Sequence, residues 1–192
     1  MSLHLLTRYG LTRAVGGGGV PQALTWRTAS GTITEDGTLW TGSGSMWTKA
    51  ATNQVRGDGS WYAEIIPNGG GGGWAIGIAP AGTAVNNAQG GNNNAGDGGR
   101  RQYFGHAQKR ANGTYESYGA SYTADDVIGI ALVKAGTSNT IRAYKNGVDQ
   151  GEMYAWTQAG DFEIHVCRYG SGGVAKLPSE VLYLPEGFTV WG

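Results

Sequence analysis

The chain has 192 residues and carries 14 Lys and Arg against 14 Asp and Glu, a formal net charge of zero. A balanced chain has no field with which to hold nucleic-acid phosphates or an anionic membrane, so neither is an expected partner. Glycine supplies 36 residues and proline 5, while 7 Trp and 10 Tyr provide large apolar surface, which excludes a collagen, a proline-rich linker and a disordered chain.

The single cysteine, Cys167, allows no internal disulfide and no thiolate zinc cluster. Its place among apolar residues reads as a buried, inert thiol. No run approaches the roughly 18 apolar residues of a membrane helix. Residues 3–6 are too short for a signal-peptide core, and His4 interrupts them.

Residues 1–20 read as a unit of their own. Leu3, Leu5, Leu6, Tyr9 and Leu11 are apolar or aromatic, and Gly16 to Gly19 then form a hinge that favours neither helix nor strand. The unit reads either as an edge strand tucked onto the domain or, the reading adopted for function, as an N-terminal anchor that docks into a partner protein through those five residues, followed by one domain over residues 21–192. Short strand-like pieces follow at 23–28, 32–34, 38–40 and 45–49, with Trp26, Trp40 and Trp47 as core aromatics. Asp36-Gly37 supplies a turn.

Residues 61–66 alternate, with Trp61, Ala63 and Ile65 on one face and Tyr62, Glu64 and Ile66 on the other. The next strand is expected at 74–79, with Gly77 where side-chain bulk is unwanted. Residues 80–102 hold six glycines and five asparagines and no hydrophobic period, which predicts a long surface loop. Order returns through Tyr103, Phe104, Tyr115, Tyr118 and Tyr122.

Residues 123–154 carry the clearest pattern. An apolar, β-branched run from Val127 to Val133 reads as a buried strand. Residues 140–145 alternate, and Asn146-Gly147 follows, a strong hairpin signal because a type I′ turn needs positive φ at both central positions. Residues 148–154 form the return strand. Residues 161–169 alternate again, Phe162, Ile164 and Val166 against Glu163, His165 and Cys167, and short apolar pieces close the chain. Many short strands with glycine-rich turns, and no helical period over three turns, predict an all-β sandwich.

Five stretches in order carry a resemblance. They are Trp61-Tyr-Ala-Glu-Ile, Gly73-Trp-Ala-Ile-Gly-Ile-Ala, Tyr118-Gly, Asp126-Val-Ile-Gly-Ile-Ala-Leu with Tyr144-Lys-Asn-Gly-Val, and Leu184-Pro-Glu-Gly-Phe-Thr-Val-Trp. Together they resemble the SPRY (B30.2-like) domain over roughly residues 45–192. Asp125-Asp126 stands where that family commonly has Gly-Asp, the 82–102 insert is longer than usual, and no PRY leader is recognisable in residues 1–44. The Gly/Asn/Thr-rich style is similar to the SPRY-like modules of tailed-phage structural proteins. The resemblance implies a bent two-sheet antiparallel β-sandwich of the concanavalin A-like, SPRY jelly-roll kind. It also implies a domain that binds partners through loops and does no chemistry.

The residue patterns of the common chemical sites are incomplete in this chain. A retaining glycosidase needs two carboxylates ~5–5.5 Å apart, and Glu64 and Glu163 stand as isolated strand residues. His4, His106 and His165 lack metal-ligand spacing, and the 92–97 stretch has one acid, too few for calcium. Gly69 to Gly73 precedes a strand and lacks the Lys-Ser/Thr of a phosphate loop. Asn112-Gly-Thr is a formal glycosylation sequon. No cofactor and no metal is expected. What remains is a loop surface of aromatic rings with amide and guanidinium donors: Asn92, Asn93, Asn94, Arg100, Arg101, Tyr103, Tyr115, Tyr118 and Trp156.

The resulting expectation is a virion protein, a fibre or spike module that adheres to a host-surface glycan or protein. It would be held to other virion structural proteins by residues 1–20 and would form a homo-oligomer. The alternatives are a capsid or tail decoration protein with no external ligand, and an intracellular SPRY peptide-binding adaptor.

Overall fold

The computed structural model describes residues 20–28, 31–43, 47–69, 73–85, 99–170 and 172–192. The residues expected to dock a partner, Leu3, Leu5, Leu6, Tyr9 and Leu11, and the expected loop contacts Asn92, Asn93 and Asn94, lie outside the described residues. Among those described there are seventeen strands and no helix.

In chain order the strands are β1 (Val20–Pro21), β2 (Trp26–Arg27), β3 (Thr32–Thr34), β4 (Leu39–Thr41), β5 (Trp47–Arg56), β6 (Gly59–Asn68), β7 (Trp74–Pro80), β8 (Arg101–Phe104) and β9 (Gln108–Ala111). They continue with β10 (Thr114–Ser117), β11 (Ile128–Ala135), β12 (Ser138–Lys145), β13 (Val148–Thr157), β14 (Phe162–Tyr169), β15 (Val174–Lys176), β16 (Glu180–Val181) and β17 (Thr189–Val190).

Two sheets face each other. One runs β10-β9-β8-β7-β14-β5-β2, the other β13-β12-β11-β6-β15-β4-β3, and a small β1-β16 pair lies apart. The pairing is antiparallel throughout except for β17, which runs parallel to β6 with Thr189 opposite Trp61 and Val190 opposite Tyr62. The fold is therefore the expected β-sandwich with one parallel closure.

Alternation decides which residues fill the space between the sheets. Ile76, Ile78, Phe162, Ile164 and Val166 come from the first sheet; Ala63, Ile65, Ile128, Ile130, Leu132 and Ile141 from the second; all are fully buried in one cluster with Trp40 and Trp191. Each such aliphatic side chain contributes about 1.5–3 kcal/mol when buried. The faces read from residues 61–66 and 161–169 are those of the structure.

The Asn146-Gly147 turn has φ of 50° and 79° and joins β12 to β13. Asn112-Gly113 makes the same turn, φ 50° and 83°, between β9 and β10. Gly77 sits where a Cβ would stand 1.9 Å from the Arg101 carbonyl oxygen, because β7 and β8 pair there with no room for a side chain.

Other boundaries differ from the pattern. The 23–28 stretch yields only Trp26–Arg27, and β5 continues to Arg56 through Thr52-Asn53-Gln54, a polar run with no apolar alternation to betray it. The surface loop predicted for 80–102 stops short: Arg100 and Arg101 are buried, and β8 begins at Arg101.

The closing segment forms a second small core on the outside of the second sheet. Val181 and Val190 pack with Tyr62, Ala131 and Tyr144, with Leu184 and Phe188 beside them. Glu64 lies beneath, fully buried, and accepts hydrogen bonds from the Leu182 and Tyr183 amides at 2.8 Å each and from the Tyr62 hydroxyl at 3.2 Å.

Candidate binding surface

The nine residues expected at a loop surface divide sharply. Tyr103 is an interior strand residue of β8, fully buried, and its hydroxyl donates to the Ala120 carbonyl. Tyr118 is also in the core. Its hydroxyl donates to the Gly151 carbonyl at 2.7 Å and accepts from the Ala143 amide at 3.2 Å. Burial pushes both phenols up to about 12. The loop-surface placement is therefore corrected for these two: the tyrosines lie where their strands and the neighbouring β12–β13 hairpin enclose them, and the rings meet edge to face at 5.3 Å.

Arg100 and Arg101 are corrected in the same sense. Arg100 donates to His165 Nε2 at 3.4 Å and to the Ala84 carbonyl at 3.0 Å. The Arg101 guanidinium lies over the Trp156 ring at 5.1 Å and donates to the Gly99 and Arg100 carbonyls at 3.0 Å. Trp156 is half-buried, packed on Phe162 at 5.5 Å, with its indole N–H donating to Gln158. Arg101 and Trp156 tie the two sheets together at one end, and Arg100 packs on the outer face of the first. Their cationic and aromatic character, legible in the sequence, serves packing.

Tyr115 alone of the described candidates is exposed, at 37%. It stands on β10 opposite Arg110, whose guanidinium lies 5.0 Å from its ring. The register places Tyr115, Arg110, Gln102, Phe104, His165, Cys167 and Trp47 on the outer face of the first sheet.

An aromatic group spans this face. Phe104 is its buried floor. Tyr115 packs on Phe104 at 5.1 Å, His106 at 5.4 Å and Trp47 at 6.1 Å, and Tyr169 reaches Trp47 at 5.6 Å. Tyr169 is 51% exposed, and His106 is exposed with its Nε2 2.8 Å from Gln108 Oε1. Trp47, His106 and Tyr169 were missed as candidates. One signal was available for Tyr169: extending the 161–169 alternation by one step puts it on the Glu163–His165–Cys167 face.

Below the aromatic group the same face is polar and closed. His165 is fully buried, and burial together with Arg100, Lys49 and Arg27 holds it well below the ordinary histidine range, so it is neutral. With Nε2 accepting from Arg100, its proton sits on Nδ1, which faces Cys167 Sγ at 3.6 Å. Gln102 donates to the same sulfur at 3.2 Å. Burial pushes the thiol up. A donor imidazole cannot act as base toward a thiol already held neutral, so the pair does not make a nucleophile.

The two isolated carboxylates lie on opposite outer faces. Glu64 faces the closing segment, and Glu163 accepts from Arg27 and from the Gly82 amide on the first sheet. They cannot flank one glycosidic bond. No helix among the described residues is long and apolar enough to cross a membrane.

Solved structures share this architecture. The chain is similar to the SPRY domain of human HERC1, with a TM-score of 0.63 and 18% identity, covering 77% of this chain and 91% of that one. It is similar to a human SPRY domain, TM-score 0.56 and 16% identity, covering 81% and 99%. It is also similar to the PSpry domain of TRIM65, TM-score 0.55 and 13% identity, covering 81% and 88%. No protein-family model matches the chain, and no curated protein matches it. The fold is SPRY-like.

Proposed function

We propose that this chain is a non-catalytic binding module of a tailed-phage virion, a fibre or spike component that adheres to a host-surface glycan or protein. The observation that carries the reading is the aromatic group on the outer face of the first sheet. Tyr115, Trp47 and Tyr169 are presented on paired strands and His106 on the β8–β9 turn, packed ring against ring around Phe104, so little entropy is lost on contact. The SPRY-like fold, shared with domains of otherwise different proteins, supports a module that binds. The Gly/Asn/Thr-rich composition supports the phage setting. Residues 1–20 would dock the module into neighbouring virion proteins, and the virion would present it as a homo-oligomer.

The experiment is binding of the multivalent protein to glycan arrays and to host cells. Tyr115→Ala and Tyr169→Ala should each lower apparent affinity about tenfold, the loss of roughly 1.4 kcal/mol of contact. No binding at high valency to either target overturns the reading.

A second reading, a decoration or assembly module without external ligand, draws on the exposed Val133, Val148 and Leu182, apolar side chains suited to a neighbouring subunit. Electron microscopy of the assembled particle separates the two: the aromatic face toward solvent favours adhesion, the aromatic face against a neighbour favours assembly.

A further inference from the structure

Among the described residues two Asn-Gly hairpin turns have nearly identical backbone, Asn112-Gly113 and Asn146-Gly147, with both asparagines exposed. Asparagine before glycine is chemically labile, because a following residue without a side chain lets its backbone nitrogen reach the asparagine amide carbon. That attack requires the side chain to leave its resting position and turn onto its own backbone. The two turns differ in what such a rotation must break.

At Asn146 the side chain is clasped from both ends. Its Oδ1 accepts from the Val127 amide at 2.7 Å, its Nδ2 donates to Asp126 Oδ1 at 2.7 Å, and its backbone amide donates to the Val127 carbonyl at 2.8 Å. The following glycine is walled in as well: a Cβ on Gly147 would stand 2.6 Å from the Tyr183 ring.

At Asn112 the side chain and the space beside the next residue are more open. Among the described residues no hydrogen bond holds its side chain. Nothing lies within 4 Å of where a Cβ on Gly113 would stand. The turn caps β10, the last strand of its sheet, in which every residue is exposed. The turn at the tip of such an edge hairpin frays at low cost.

We infer that Asn112 is a site of spontaneous covalent modification, and that Asn146 is a protected counterpart of the same sequence. The Gly113 backbone nitrogen bonds to Asn112 Cγ, the bond from Cγ to the side-chain nitrogen breaks, and ammonia leaves carrying the proton lost by the attacking nitrogen. Water then opens the cyclic imide at either carbonyl, giving aspartate or isoaspartate. No oxidant or enzyme is needed. The product carries one new negative charge on a chain whose net charge is zero. That charge falls three residues from Tyr115 and two from Arg110, beside the aromatic face, so the purified protein becomes a mixture of two surfaces.

The test is timed incubation of the full chain in mildly alkaline buffer, followed by proteolysis and mass mapping of both turns. The free peptide Ala-Asn-Gly-Thr-Tyr serves as the unstructured reference. The expected result is conversion at Asn112 at least about tenfold faster than at Asn146, since the latter must first break two net-favourable side-chain hydrogen bonds. Equal rates at the two turns overturn the proposal. So does an Asn112 that remains amide while the reference peptide converts completely. Asp126→Ala removes one side of the Asn146 clasp, the bond to Nδ2, and should raise conversion at Asn146 several-fold while leaving Asn112 unchanged. A clasped rate in that variant, with circular dichroism showing a folded chain, also counts against it. The wild-type comparison stands alone if the variant does not fold.

Discussion

The Leu182 amide donates to the Glu64 carboxylate at 2.8 Å across 118 positions of sequence, and Tyr183 donates to the same group. One buried side chain thereby fixes where the closing segment crosses the second sheet. The segment's own strands, β16 and β17, have two residues each and could not set that register alone. Glu64→Ala would leave two amides and the Tyr62 hydroxyl without their acceptor. It should cost about 3 kcal/mol and loosen residues 177–192, measured by urea unfolding and by hydrogen exchange of that segment. Unchanged exchange at Leu182 and Tyr183 contradicts it.

The same carboxyl sets a pH dependence. Burial raises the Glu64 pKa, partly countered by the Leu182 and Tyr183 amides and by Tyr62. A folded value above the unfolded one means that its contribution is complete below the ordinary glutamate range and is lost as pH rises through the raised value. Glu64→Gln should remove that decline from a stability-against-pH curve, whatever it does to the absolute stability.

His165 acts with the opposite sign. Its folded pKa is depressed, by burial first and then by Arg100, Lys49 and Arg27. Its contribution is therefore present above the ordinary histidine value and is lost as pH falls below it, by up to about 1.4 kcal/mol per pH unit. His165→Gln keeps an acceptor for Arg100 and should flatten the acid side of the curve. A wild-type slope in that variant would assign the effect to another group.

The parts of this fold that were legible in the sequence are those where local chemistry and tertiary role agree. The 61–66 and 161–169 alternations gave both faces of β6 and β14, and Asn146-Gly147 gave its turn, because burial and turn geometry there are dictated by neighbours along the chain. Tyr103, Tyr118, Arg100 and Arg101 were misplaced for the converse reason. Each looks like surface in a glycine-rich context, and each is buried by strands far away in sequence, Tyr118 by β12 and the Gly151 carbonyl and Arg101 by Trp156 of β13. Trp47 and Tyr169 become neighbours only through the β5–β14 register, which no local pattern reports.

Tyr118→Phe keeps the ring against Tyr103 and removes a hydroxyl that donates to the Gly151 carbonyl and accepts from the Ala143 amide. The loss should be about 1–2 kcal/mol, since the buried Ala143 amide is left without its partner. Thermal unfolding measures it. A change within the roughly 0.5 kcal/mol typical of surface substitutions would return Tyr118 to the surface.

Gly77 tests the sheet itself. Its φ is not in the left-handed region, so Gly77→Ala imposes no backbone strain, and any cost is steric. The new methyl would meet the Arg101 carbonyl at 1.9 Å and the Gln102 Cα at 2.9 Å, both backbone atoms of the paired strand. A flexible side chain could swing aside, but a paired backbone has to move as a unit, which separates β7 from β8 and disturbs the pairing that presents Phe104 and Tyr115. The substitution should cost about 3 kcal/mol or more in stability. Gly113→Ala is the matched control. It does carry strain, with φ 83°, but meets no atom within 4 Å, so its cost should be confined to about 1 kcal/mol and to the β9–β10 turn. Equal losses in the two variants, read by urea unfolding, would show that the close approach of β7 and β8 is not what selects glycine at position 77.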